Sequence, residues 1–83
     1  MSAANILVVD DEEDILHLVD YNLRRAGFNV QCTASGSEAV TLARTNPPDL
    51  VVLDLMLPGL NGLEVCTLLK NDPQTRDISI IML

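Results

Sequence analysis

Residues 48–65 read PDLVVLDLMLPGLNGLEV, and the fold follows from how this stretch divides. Leu50-Val51-Val52-Leu53 is an unbroken apolar run with no alternating polar position. That is the pattern of a strand covered on both faces in a parallel sheet. Asp54 ends it at once. Leu55 to Leu60 carries Pro58 and Gly59, a turn signature. Asn61 stands where a helix N-cap belongs, with Glu64 at the third helical position. Val65, Cys66, Leu68 and Leu69 give the following helix an apolar face, and Asp72-Pro73 closes it.

Upstream, Ile6-Leu7-Val8-Val9 has the same character and is also ended by acids, Asp10 and Asp11. From Glu13 to Ala26 the apolar positions Ile15, Leu16, Val19, Leu23 and Ala26 follow helical spacing. Glu12, Glu13 and Asp14 surround its first turn and Arg24 and Arg25 its last, both favoured by the helix dipole. Gly27 is a natural stop, with Phe28 placed to pack back on the helix. Val30 to Thr33 reads as a weaker strand. Ser35 opens a capping box with Glu38, and the helix it starts runs to about Thr45, since Pro47-Pro48 forbids continuation. Ile78 to Leu83 is a last strand. The order β-α-β-α-β-α-β predicts one α/β domain over residues 1–83, a parallel sheet with helices on its faces and right-handed connections.

Composition narrows the function. The 83 residues are 48% hydrophobic but only 2% aromatic, so aliphatic side chains must build the core. Twelve acids against five Lys and Arg leave a net charge of −7, which argues against direct nucleic-acid binding by this segment, because that affinity rests on cations displacing counterions. No apolar run exceeds four residues, so neither a membrane span nor a signal-peptide core is expected, and the domain is expected in the cytoplasm. Cys32 and Cys66 form no CxxC pair and His17 has no ligand-spaced companion, so a zinc site lacks ligands. Both thiols read as buried small hydrophobes, with no structural disulfide.

If the strands ending at Val9 and Leu53 are neighbours, Asp10, Asp11 and Asp54 converge at the carboxyl edge of the sheet, where such folds place their sites. Three carboxylates that close repel one another unless a cation sits among them. Mg²⁺ suits them, being a hard ion that takes one or two carboxylates and keeps room for phosphate oxygens. A carboxylate can also act as a nucleophile and form an acyl phosphate. A plainer reading makes the Asp10-Asp11 pair a helix cap and Asp54 the start of a turn. The whole set, paired acids after one strand, a single acid after the other, then Pro-Gly, favours a site.

The sequence resembles the receiver domains of two-component response regulators. The resemblance is carried by ILVVDDEEDI at 6–15, by PDLVVLDLMLPGLNGLEV at 48–65 and by ISIIML at 78–83. It implies a flavodoxin-like, CheY-like sandwich with strand order 2-1-3-4-5. It also implies phosphorelay signalling rather than an enzyme's turnover, with Asp54 accepting a phosphoryl group from a sensor histidine kinase. By the same resemblance Asp11 is the direct Mg²⁺ ligand, Asp10 holds the ion mainly through water, and the Met56 backbone carbonyl completes the metal site together with Asp54. Pro58 and Gly62 match the residues that shape the loop after the acceptor.

Receivers of this family are longer. After the fourth strand they place a phosphate-sensing Ser or Thr, a helix, a fifth strand with an aromatic residue and a lysine, and a last helix. The present sequence is therefore expected to be the N-terminal part of a receiver, and Lys70, on the third helix, lies at the wrong end to replace that lysine. The expectation that follows is an exposed Ile78–Leu83 edge that pairs or swaps with another copy. An alternative function is a self-associating folding or assembly module without working phosphotransfer. Two other readings are disfavoured by residues. Aspartate phosphatases carry a second Asp two positions after the nucleophile, where this sequence has Met56. Nucleotide binders need a glycine-rich first turn, where this sequence has Asp-Asp-Glu-Glu.

Overall fold

The computed structural model describes residues 3–83, so Met1 and Ser2 of the expected domain lie outside the described residues. The two apolar runs lie side by side. Strand β1 (Asn5–Val9) pairs in parallel with β3 (Leu50–Leu53), Val9 opposite Leu53. On its other side β1 pairs with β2 (Asn29–Thr33), and β3 pairs with β4 (Ser79–Met82). The sheet order is β2-β1-β3-β4, all parallel. Helices α1 (Glu13–Arg25), α2 (Gly36–Thr45) and α3 (Gly62–Lys70) connect the strands, so the predicted alternation is the observed one.

Period-two alternation divides the sheet into two faces. Leu7, Val9, Val51 and Leu53 point to α2 and α3, where Ala39, Val40, Ala43, Val65 and Leu69 complete the main core with Leu57 and Ile78. Ile6, Val8 and Val30 point to α1 and meet its half-buried Leu16, Val19 and Leu23. Helix α1 has no fully buried residue. Ile15 and Ala26, expected on its apolar face, are exposed; the residues of α1 that pack on β1 and β2 are Leu16, Val19 and Leu23. On the same face, Leu50 and Val52 are half-buried and Ile81, opposite Val52, is 51% exposed.

Helix ends follow local chemistry with two departures. Helix α1 stops one residue short of Ala26. Gly27, at φ 97°, lets its amide bond Arg24 O at 3.0 Å while the Phe28 amide bonds Leu23 O at 3.1 Å, a Schellman closure. Phe28 nevertheless stays 38% exposed. At α3 the capping box is complete: Asn61 Oδ1 accepts from the Glu64 amide at 3.0 Å, and Glu64 Oε1 from the Asn61 amide at 3.2 Å. At α2 it is only half formed. Ser35 Oγ accepts from the Glu38 amide, but the Glu38 carboxylate takes the Thr33 hydroxyl at 2.6 Å, and Thr33 Oγ1 instead accepts the Ser35 amide. A buried Thr33 beside the helix start outcompetes the local return bond.

The two thiols also differ from expectation. Both are free, and both are half-buried rather than buried. Cys66 lies at the rim of the main core, and Cys32, on the edge strand β2, has Sγ 3.8 Å from Asp20 Oδ1. Burial and the Asp20 charge push the Cys32 thiol's pKa up.

Candidate functional site

The acids are placed by the sheet itself. Because Val9 and Leu53 are register partners, the next residue on each strand, Asp10 and Asp54, emerges at the same edge. The Asp54 amide continues the ladder by donating to Val9 O at 2.9 Å, and the Asp10 amide donates to Thr33 O at 3.2 Å. Order 2-1-3 means the path of the backbone reverses direction across the sheet between β1 and β3, so the acids stand at the switch point where doubly wound folds form clefts. Asp10, Asp11 and Asp54 each present a carboxylate oxygen, and these lie within 4.8 Å of one another.

Their environments differ. Asp10 is 4% exposed, Asp54 half-buried and Asp11 exposed. Burial holds the Asp10 carboxyl above its ordinary pKa, opposed by a hydrogen bond from the Glu12 amide at 2.9 Å and reinforced by the charges of Asp54 and Asp11. The plainer reading fails for the Asp10-Asp11 pair, since the N-cap of α1 is Glu12, without a side-chain bond, but it holds for Asp54, which begins a turn by accepting from the Met56 amide. A buried carboxylate facing two others, with no Lys or Arg among the partners that shift it, is a donor set suited to a hard divalent ion.

The loop after β3 completes the surroundings. Asp54 Oδ1 accepts from the Met56 amide at 3.1 Å, and the Met56 side chain is 78% exposed. Asp11, Leu55, Met56, Pro58, Asn61 and Leu63 line a concavity beside the acids. Gly59 turns this loop at φ 70°. Gly62 has a reason the sequence alone does not disclose: a Cβ there would fall on Asp54 O and crowd Leu55 Cα, while its amide bonds Leu55 O at 3.1 Å. Gly36, which sequence reasoning passed over, is fixed in the same way against Leu60 O. The Ser-Gly pair at a helix start was its only signal. Lys70 is engaged at the opposite end of the sheet, donating to Arg76 O at 3.1 Å and to Ile78 O at 2.7 Å.

Fold and acid cluster together define a doubly wound domain with a carboxylate site at its switch point, and comparison with known proteins gives this class its family. The pattern of the response regulator receiver domain matches residues 6–83; the chain belongs to that family. It is 55% identical over 65 residues to the alkaline phosphatase synthesis transcriptional regulatory protein PhoP of Bacillus subtilis, a match covering 78% of this chain and 27% of that protein. The N-terminal domain of a response regulator receiver protein from Methanoculleus marisnigri superposes with TM-score 0.93 at 40% identity, covering 98% of this chain and 66% of the other. The receiver domain of a sensor histidine kinase from Pseudomonas aeruginosa, solved with a magnesium ion coordinated in its active-site cleft, gives TM-score 0.93 at 27% identity, covering 98% and 66%. The chain thus spans about a quarter of the curated relative and just under two thirds of these solved receivers. Among the described residues no helix is long and apolar enough to cross a membrane.

Proposed function

We propose that this protein is the phosphoryl acceptor of a two-component phosphorelay, with Asp54 as acceptor, a sensor histidine kinase as donor, and Mg²⁺ held by Asp10, Asp11, Asp54 and the Met56 backbone carbonyl. The observation that carries this reading is the convergence of three carboxylates within 4.8 Å at the carboxyl edge of the sheet. The magnesium ion in the Pseudomonas receiver's cleft supports it.

In the reaction, an Asp54 carboxylate oxygen attacks phosphorus as the bond to the donor's imidazole nitrogen breaks. The nitrogen keeps the electron pair and an acyl phosphate forms. The Met56 amide on Oδ1 fixes the plane of the carboxylate, and the Glu12 amide holds the Asp10 carboxylate facing the cleft. Mg²⁺, when bound, neutralises charge that develops on the transferred phosphoryl oxygens. Phosphoryl transfer asks little covalent chemistry of the protein beyond position and charge, so the protein acts as acceptor and not as an enzyme. Its acidic balance and lack of a spanning helix among the described residues fit a cytoplasmic receiver that does not itself contact nucleic acid.

The test is the intact mass after incubation with acetyl phosphate and Mg²⁺, beside Asp54→Asn. A phosphoryl adduct on the wild type alone is the expected result. No adduct, or an equal one on Asp54→Asn, overturns the assignment.

One observation favours a second property. Among the described residues strand β4 is an edge of the sheet, and Ile81 and Leu83 along it are 51% and 59% exposed. Unpaired strand edges with apolar side chains template pairing, so we propose that the protein self-associates or swaps elements along this edge.

A further inference from the structure

Asn61-Gly62 is the only Asn-Gly pair in the sequence, and it forms the junction between the loop carrying Asp54 and helix α3. We infer that Asn61 is a site of spontaneous deamidation gated by the opening of this junction. In the reaction, the Gly62 backbone nitrogen attacks Asn61 Cγ. The bond from Cγ to the amide nitrogen Nδ2 breaks, and ammonia leaves with the proton from the attacking nitrogen. Water then opens the cyclic imide to aspartyl or isoaspartyl. Glycine favours the attack because it has no side chain to obstruct the nitrogen's approach.

The folded state holds both reacting groups back. The Gly62 amide donates to Leu55 O at 3.1 Å. Asn61 Oδ1 is drawn to the Glu64 amide at 3.0 Å, and the Asn61 amide is tied to Glu64 Oε1 at 3.2 Å. Ring closure requires these bonds to part, so the rate follows the population of the open junction. The two products differ in consequence. Aspartyl at 61 keeps the cap and adds an acid to the concavity that Asp11 lines. Isoaspartyl lengthens the backbone by a methylene next to Gly62, where even a Cβ has no room against Asp54 O, so that product loses thermal stability.

The experiment incubates the full-length protein at mildly alkaline pH, native and in guanidinium chloride, and quantifies deamidation of every Asn by peptide mass mapping. Asn61 is expected to lead all other Asn residues in denaturant and to react at least roughly tenfold more slowly in the native state. Glu64→Ala, which frees the Asn61 amide, is expected to raise the native rate several-fold while leaving the denatured rate unchanged. Separated isoaspartyl molecules are expected to melt below the aspartyl ones. Equal native and denatured rates, or an Asn61 no faster than the other Asn residues in denaturant, overturn the inference.

Discussion

Asp10 is the residue at which stability and chemistry oppose one another. Its carboxyl is buried against two other acids and titrates above the ordinary value of 3.8, so the folded state binds this proton more tightly than the unfolded one. The contribution of Asp10 to stability is therefore largest at low pH and falls as pH rises from 3.8 through its raised value. Asp10→Asn keeps an oxygen for the Glu12 amide and removes the charge. It is expected to raise the melting temperature at neutral pH, to flatten this part of the stability–pH curve, and to remove stabilisation by Mg²⁺; thermal melts across pH with and without Mg²⁺ check all three. Gly62→Ala is expected to lose most of the cooperative transition in the same melts, because backbone overlap with Asp54 O has no flexible side chain to absorb it. The acids were legible in the sequence because each ends an apolar run. The demands on Gly36 and Gly62 were not, since each depends on the carbonyl of a residue in another segment.

At the scale of elements, sequence signals held where no group from a second element competes for the same partner. Asn61 and Glu64 form their box, and Gly27 ends α1. Where a second element intervenes, the signal was redirected: Thr33 from β2 takes the Glu38 carboxylate. Asn61→Ala is accordingly expected to cost about 1 kcal/mol, and Thr33→Val to release Glu38 toward the Ser35 amide with a smaller loss. Denaturant midpoints at constant slope measure both. Leu69, fully buried between α3 and the sheet, is expected to cost roughly 2–5 kcal/mol on truncation to Ala. Thr75 went unread in the sequence. It is fully buried with its hydroxyl on Leu69 O at 2.7 Å, closing α3 and turning the backbone toward β4.

For the molecule as a whole, hydropathy periodicity gave the alternation of strands and helices. The neighbouring of β1 and β3 came from the resemblance, since no local pattern encodes which strands pair. Uneven cover of the α1 face leaves Ile81 outside any cluster, and Ile81→Lys is expected to raise the monomer fraction in sedimentation velocity at least several-fold; a wild type that is monodisperse as a monomer removes the proposed association. The ladder bond from the Asp54 amide to Val9 O has one further consequence. Asp10 and Asp54 follow register partners on neighbouring strands, which in a sheet stand about 4.7–4.9 Å apart, so the sheet itself holds these two carboxylates close. Repulsion between the carboxylates then pulls on the last rung between β1 and β3, and relieving it tightens that rung. Hydrogen exchange at the Asp54 amide should slow when a divalent ion neutralises the cleft, making a backbone proton the gauge of charge at the site.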